Sequence, residues 1–260
     1  MLSCRTYRFR LEPTAEQVET LYRSAGARRF IYNWALARRK QYYREHKRGI
    51  PKAQLSAELT ALKHQVETRW LLEVDSQALQ QALRDLDRAY VNFFEHRAHY
   101  PKFKSKKQGD FAFRIPQRVR LEHSAVYLPK AGWVKVRQHR EVVGETKSAT
   151  FKRDARGAWY VTLVTEFEVP ELPTTPPDPN RTVGVDLGLK DFAVTSDGDH
   201  TPAPQFYRTL ERRLKRAHRG VSRKHEGGRN RGKARRRLGW LYRKTADQRR
   251  DSCTNSAPRS

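Results

Sequence analysis

Cysteine is nearly missing from this chain. Cys4 and Cys253 are the only two in 260 residues, which leaves neither a disulfide framework nor a Cys-x-x-Cys zinc pattern. Long apolar runs are missing as well. A membrane span needs about 20 mostly apolar residues, and the N-terminus lacks the hydrophobic block of a signal peptide. A basic membrane-binding protein is therefore unsupported, and a cytoplasmic protein is expected. The nine histidines show no ligand spacing, and no Ser-His-Asp or Cys-His arrangement stands out, so no small-molecule substrate is inferred. Acids are also scarce, with 28 Asp and Glu against 54 Lys and Arg, a formal charge of +26 and a pI near 10.5. Such a surplus attracts polyanions, and its usual use is to neutralise phosphates with release of their counterions.

The surplus is concentrated. Arg208 to Arg250 holds 18 Lys and Arg against three acids, Glu211, Glu226 and Asp247, so +15 of the +26 lies in one sixth of the chain. Leu210, Leu214 and Ala217 repeat at helical spacing, a second basic helix is expected from Lys233 through Leu238, Leu241 and Tyr242, and Gly227-Gly228 breaks the two. Arg212, Arg213, Lys215, Arg216, Arg223, Lys224, Arg235, Arg236 and Arg237 are the candidate phosphate contacts. Lys102, Lys104, Lys106 and Lys107 around Phe103 read either as a loop that follows a phosphate backbone or as a solubilising loop.

The first hundred residues read as helical. Leu55, Leu59, Leu62 and Val66 form one stripe; Leu79, Leu83, Leu86, Tyr90 and Phe93 form another, with Ser76 as expected N-cap and Pro101 as terminator. Upstream, the run to Ala25 and the run from Phe30 to Leu36 suggest two helices turning at Gly26, a helix-turn-helix-like start better read as part of a bundle than as a groove reader.

From Phe111 the period changes to two. Phe111–Ile115, Arg118–Leu121, Val126–Leu128, Trp133–Val136, Thr150-Phe151 and Trp159–Val164 read as short strands of a barrel or sandwich, with a first strand at Thr6–Leu11, so that the helices are an insertion in a β domain. Trp34, Trp133 and Trp159 are expected in cores. Five prolines from Pro170 to Pro179 suggest a stiff linker. Beyond it, Val183 and Val185 lead to Asp186, and Phe192-Ala-Val194 runs to Asp197-Gly198: a hairpin carrying one acid at a strand end. A carboxylate so placed suits a hard cation, although two-metal chemistry needs several converging acids.

In order along the chain, Tyr7-Arg-Phe-Arg-Leu-Glu-Pro-Thr14, Asn33-Trp-Ala-Leu36, Gln80–Tyr90, Phe93-Phe94, Pro101-Lys-Phe-Lys-Ser-Lys-Lys107 and Gly184-Val-Asp-Leu-Gly-Leu-Lys190 resemble the OrfB/TnpB proteins of bacterial insertion sequences. The resemblance implies an α+β multidomain chain. A wedge-type β-barrel (residues 1–12 with 108–170) would carry a helical recognition insertion (13–107). A linker (171–180) would lead to an incomplete RNase H-like, RuvC-type domain with basic helices (181–251). It also implies a transposase-family protein descended from RNA-guided DNA endonucleases, with DNA and a guide RNA as partners. Asp186 would be the first of three Mg²⁺-binding acids, the other two and a zinc ribbon lying in family segments beyond this chain.

Family members continue after Asp-Gln-Arg-Arg-Asp with Phe-Leu-His-Lys-Leu-Ser-Thr, whereas Asp251 is followed by Ser-Cys-Thr-Asn-Ser-Ala-Pro258. Deleting one T from GAC TTC CTG CAC AAA CTC AGC ACC yields the second text. A frameshifted tail at 252–260 without a packing role is therefore expected, together with a catalytically incomplete nucleic-acid-binding protein. The alternatives are an active Mg²⁺-dependent nuclease and, more weakly, an actin-like ATPase fragment, disfavoured because Leu189-Lys190 stands where hydroxyl residues would be.

Overall fold

Alternation in Tyr7-Arg-Phe-Arg-Leu11 sends Tyr7, Phe9 and Leu11 to one face and Arg8 and Arg10 to the other, and the segment forms strand β1, Leu2–Glu12. The structure is a computed structural model that describes residues 1–106, 111–154, 156–169, 178 and 182–255. The chain divides into two compact units, 1–154 with 158–170 and 155–157 with 171–260; the proline-rich segment 170–179, apart from Asp178, lies outside the described residues.

In the first unit, β1 is followed by helix α1 (Ala15–His46), helix α2 (Lys52–His64), a 3₁₀ stretch (Val66–Glu73) and helix α3 (Ser76–Phe94). Strands β2 (Ala112–Ile115), β3 (Leu121–Glu122), β4 (Ala125–Leu128), β5 (Gly132–Arg137), β6 (Glu145–Arg153) and β7 (Trp159–Glu168) complete it. All pair antiparallel in one seven-stranded sheet of order β2-β6-β7-β1-β5-β4-β3. Here β1 lies between β7 (Arg10 opposite Tyr160) and β5 (Arg10 opposite Arg137), so the helices are inserted within the sheet's sequence. Among the described pairings β2 and β3 are the sheet's two ends. Strand β3 is shorter than the Arg118–Leu121 reading because Arg118 adopts a left-handed φ of 62°. Gly144 is required at the start of β6: at φ 88° a Cβ would come within 2.4 Å of the Glu166 carbonyl oxygen.

Gly26 does not turn the chain. α1 is one 32-residue helix that carries two cores. Leu21 and Ala25 pack with Phe9, Phe113, Phe151, Trp159 and Val161 on the inner face of the sheet. Ala27, Ile31, Ala35 and Leu36 pack with Leu55, Leu59, Leu79 and Leu86 of α2 and α3. A helical glycine costs only about 1 kcal/mol relative to alanine, whereas each buried large apolar side chain on either side contributes about 1.5–3 kcal/mol, so burial keeps the helix straight through. Thr14 caps it in a reciprocal box with Gln17. The Gln17 side chain also donates to the carbonyls of Ala131 (3.3 Å) and Trp133 (2.8 Å), fixing the start of α1 to β5. α3 is capped by Asp75, whose carboxylate accepts from the Gln77 amide at 2.8 Å, and not by Ser76. It ends at Phe94, before Pro101, where His96 turns left-handed at φ 58°.

The second unit holds β8 (Val185–Asp186), β9 (Asp191–Thr195) and β10 (His200–Pro202) in a three-stranded antiparallel sheet, then helices α4 (Phe206–Ser222) and α5 (Arg229–Asn255). The third strand adds to the expected hairpin. Gly227, at φ 87°, makes the break between α4 and α5. The two helices share a seam of buried Leu210, Leu214 and Leu241 with Ala217 and Leu238 against it. α5 continues unbroken across Asp251 to Asn255, into the expected tail, and residues 256–260 lie outside the described residues. Among the described residues no helix is long and apolar enough to cross a membrane.

Candidate nucleic-acid interface

Helical periodicity sorts the basic residues of α4 and α5. Leu210, Leu214 and Leu241 turn into the seam; Arg213, Arg216, Ala217 and Gly220, at spacings of three and four, fall on one flank of α4, and Lys224 follows in the turn after it. Lys233, Ala234, Arg237, Trp240 and Leu241 form the matching flank of α5. Between the flanks lies a groove of about 780 Å³. Its lining has five cations (Arg213, Arg216, Lys224, Lys233, Arg237), no acid, a floor of small and apolar residues, and one indole wall, Trp240. Lys244 lies 5.6 Å from the centre of the Trp240 ring.

Five like charges around one groove repel one another, and a phosphate chain is the partner that removes the repulsion. Glu211, two residues before Arg213, is already paired. Glu211 accepts from Lys215 at 2.8 Å, and that contact holds the Glu211 carboxyl below its ordinary range and the Lys215 ammonium above its own. Of the sequence candidates, Arg213, Arg216, Lys224 and Arg237 come together here, while Arg212, Lys215, Arg223, Arg235 and Arg236 are exposed outside the groove lining. Lys233 and Trp240 were missed as contacts, although their spacing from Arg237, four before and three after, places them on its face.

In the first unit the lysine loop is built more firmly than an ordinary solubilising loop. Asn33 of α1 accepts from the Lys104 amide at 2.8 Å and donates to its carbonyl at 2.9 Å. Lys104 lies 4.9 Å from the Tyr32 ring. Lys102 and Lys106 are exposed, and Lys107 lies outside the described residues.

The outer face of the seven-stranded sheet was also missed. Register places Lys152, Tyr160, Arg10 and Arg137 side by side across β6, β7, β1 and β5, with the Arg8 guanidinium 4.4 Å from the Tyr160 ring centre. The signal was the same alternation that gave the inner core. Trp159 and Trp34 pack in cores as expected, but Trp133 is 42% exposed: it alternates with buried Val134 and Val136 and so falls on the outer face.

Asp186 sits where the hairpin reading put it, at the end of β8 opposite Val194, and is exposed. Asp191 of β9 faces His200 at 3.3 Å. Among the described residues no three His, Cys, Asp or Glu side chains converge as a metal-holding group.

The chain matches two family models: one described as "Probable transposase" over residues 162–258, the other as "Helix-turn-helix domain" over residues 1–48. In this structure the second match is one strand and a single helix. Over 254 residues the chain is 38% identical to the "Putative RNA-guided DNA endonuclease InsQ" of Escherichia coli K12, covering 96% of this chain and 62% of that protein. It is 34% identical to a "Putative RNA-guided DNA endonuclease" of Streptomyces pristinaespiralis, covering 95% of this chain and 61% of that protein. The chain thus spans about three fifths of these relatives' lengths. A chain of a CRISPR-Cas12f ternary complex aligns at 14% identity, over 92% of this chain and 59% of its own, with a TM-score of 0.38, too low to assign a shared fold.

Proposed function

Because this chain belongs to the OrfB/TnpB transposase family of insertion sequences, we propose that it binds DNA and a guide RNA chiefly through their phosphates, without cleaving DNA by itself. The observation that carries this reading is the acid-free groove of α4 and α5, with five cations around it. Arginine forks suit phosphate oxygens, and lysine supplies point charge that can follow a backbone. The relatives' names, which describe RNA-guided DNA endonucleases, point to the class of partner. The wedge-like part would be the seven-stranded sheet, the recognition part α1 to α3, and the strands around Asp186 the start of an RNase H-like domain.

Asp186, presented at a strand end, is the residue of this chain that would help to hold Mg²⁺ in the family's nuclease chemistry. The other acids would have to come from elsewhere. Those relatives' names also support a second reading, that the chain is itself a Mg²⁺-dependent nuclease.

Affinity measured against salt tests the proposal. Each phosphate contact contributes about 0.9 to the slope of log affinity on log salt, so replacing Arg213, Arg216 and Arg237 together with alanine should flatten the slope by about 2 to 3. An unchanged slope would move the interface off this groove. The same preparation with Mg²⁺ should leave DNA intact, and Asp186→Ala should not change binding. DNA cleavage lost in Asp186→Ala would establish the second reading instead.

A further inference from the structure

A second concavity, of about 790 Å³, opens at the end of α3 and is lined by Phe93, His96, Arg97, His99, Tyr100 and Lys102. Its wall is aromatic. Phe93 meets Tyr100 edge to face at 5.2 Å between ring centres, and Phe93 and Phe94 are 5.3 Å apart. Tyr90 braces the group from behind: its hydroxyl is 3.0 Å from that of Tyr100, and it stacks on Phe94 at 6.2 Å. Phe94 is 70% exposed and Phe103 is 51% exposed. Lys40 of α1 lies 5.3 Å from the Tyr100 ring and 4.9 Å from the Phe103 ring.

The turn that builds this place is strained. His96 holds φ 58°, in the left-handed region that favours glycine. The Arg97 and Ala98 amides both donate to the Asn92 carbonyl, at 2.8 and 3.1 Å. One acid is adjacent, Glu95, and it is paired with Arg97.

We infer that this concavity is a stacking site for unpaired nucleotides of a nucleic-acid strand. The inference rests on the nucleic-acid reading above and adds a second, base-dependent site to it. A nucleotide couples a flat π surface to an anion. In and beside the concavity the exposed rings of Phe94, Tyr100 and Phe103 stand next to the ammonium groups of Lys40 and Lys102, charges that an apolar protein partner would leave unmatched. Base-paired nucleic acid offers no free base face, so the site selects single strands. Ribose and deoxyribose strands share the chemistry, and comparing them separates the two sources.

The test uses the full chain and short unstructured ribo and deoxyribo strands that carry a fluorescent adenine analogue. Duplexes and an abasic strand of the same length serve as controls. Phe94→Leu with Tyr100→Leu, at exposed positions where leucine keeps apolar bulk, should weaken single-strand binding about tenfold. The change should also abolish the quenching of the analogue and leave duplex and abasic binding as they were. Tyr100→Phe, which keeps the ring and loses the hydroxyl bond to Tyr90, should bind like the parent. Equal single-strand affinity in the leucine variant, or an equal loss on the abasic strand, would overturn the inference. Substitutions in the α4/α5 groove should weaken every ligand, abasic strands included. If they weaken none while the leucine variant loses single strands, the phosphate-groove reading fails and the stacking site stands.

Discussion

The two units of this protein spend their sequence differently. In the first, the sheet core and the helical core share α1, and Phe9, Leu21, Ile31, Leu36, Phe113 and Phe151 are almost wholly enclosed. In the second, the buried seam of α4 and α5 is three leucines wide. Val183, Val185, Leu187 and Leu189 around Asp186 remain exposed. The first unit is held by burial, while the second carries the densest charge, +15 between Arg208 and Arg250, on little core. Its long basic helices concentrate like charge, and such self-repulsion destabilises the fold that carries it.

The largest effect that would break this contrast is a core truncation. Phe9→Ala should destabilise the first unit by about 3–5 kcal/mol in denaturant unfolding, because Phe9 lies under both β1 neighbours and α1. A loss under about 1 kcal/mol would mean that the sheet does not depend on this core.

A smaller effect should appear in hydrogen exchange. Amides of β1, β7 and α1 should be protected well beyond those of α4, α5 and β8 to β10, and a polyanion should raise protection in α4 and α5 selectively. Equal protection of the two units without ligand would show that the second has stabilising contacts beyond its leucine seam.

The smallest effect is pH. Hydrogen bonds from Arg38 to Glu58 and from Arg137 to Glu12 hold both carboxyls below the ordinary carboxylate range. A folded carboxyl with a depressed pKa contributes stability that is complete above the unfolded value, about 4.3, and is lost as pH falls through the folded value. The first unit should therefore weaken below about pH 4.3, and Glu58→Gln should remove part of that dependence. Glu12, whose partner Arg137 is largely exposed, should matter less. A melting temperature unaffected by Glu58→Gln across this range would sink the assignment.

The sequence by itself determined the elements and much of their order. Period-two alternation around Phe9, Val134 and Val161 gave strands, and Leu79, Leu83 and Leu86 gave α3. The shift in charge after Arg208 placed the basic helices. These signals are local, so they can be read along the chain. It also carried the family, because six motifs in order leave few alternatives. Tertiary packing decided the rest. Gly26 reads as a turn until the sheet on one side and α2 and α3 on the other hold the helix straight. The nine basic candidates of α4 and α5 look alike in sequence, yet the facing of two helices selects four of them and adds Lys233 and Trp240. The pocket beside Tyr100 is assembled from α3, its strained turn and a lysine of α1 more than fifty residues away. Which residues share a surface depends on how distant segments pack, and a one-dimensional pattern carries no distance between them.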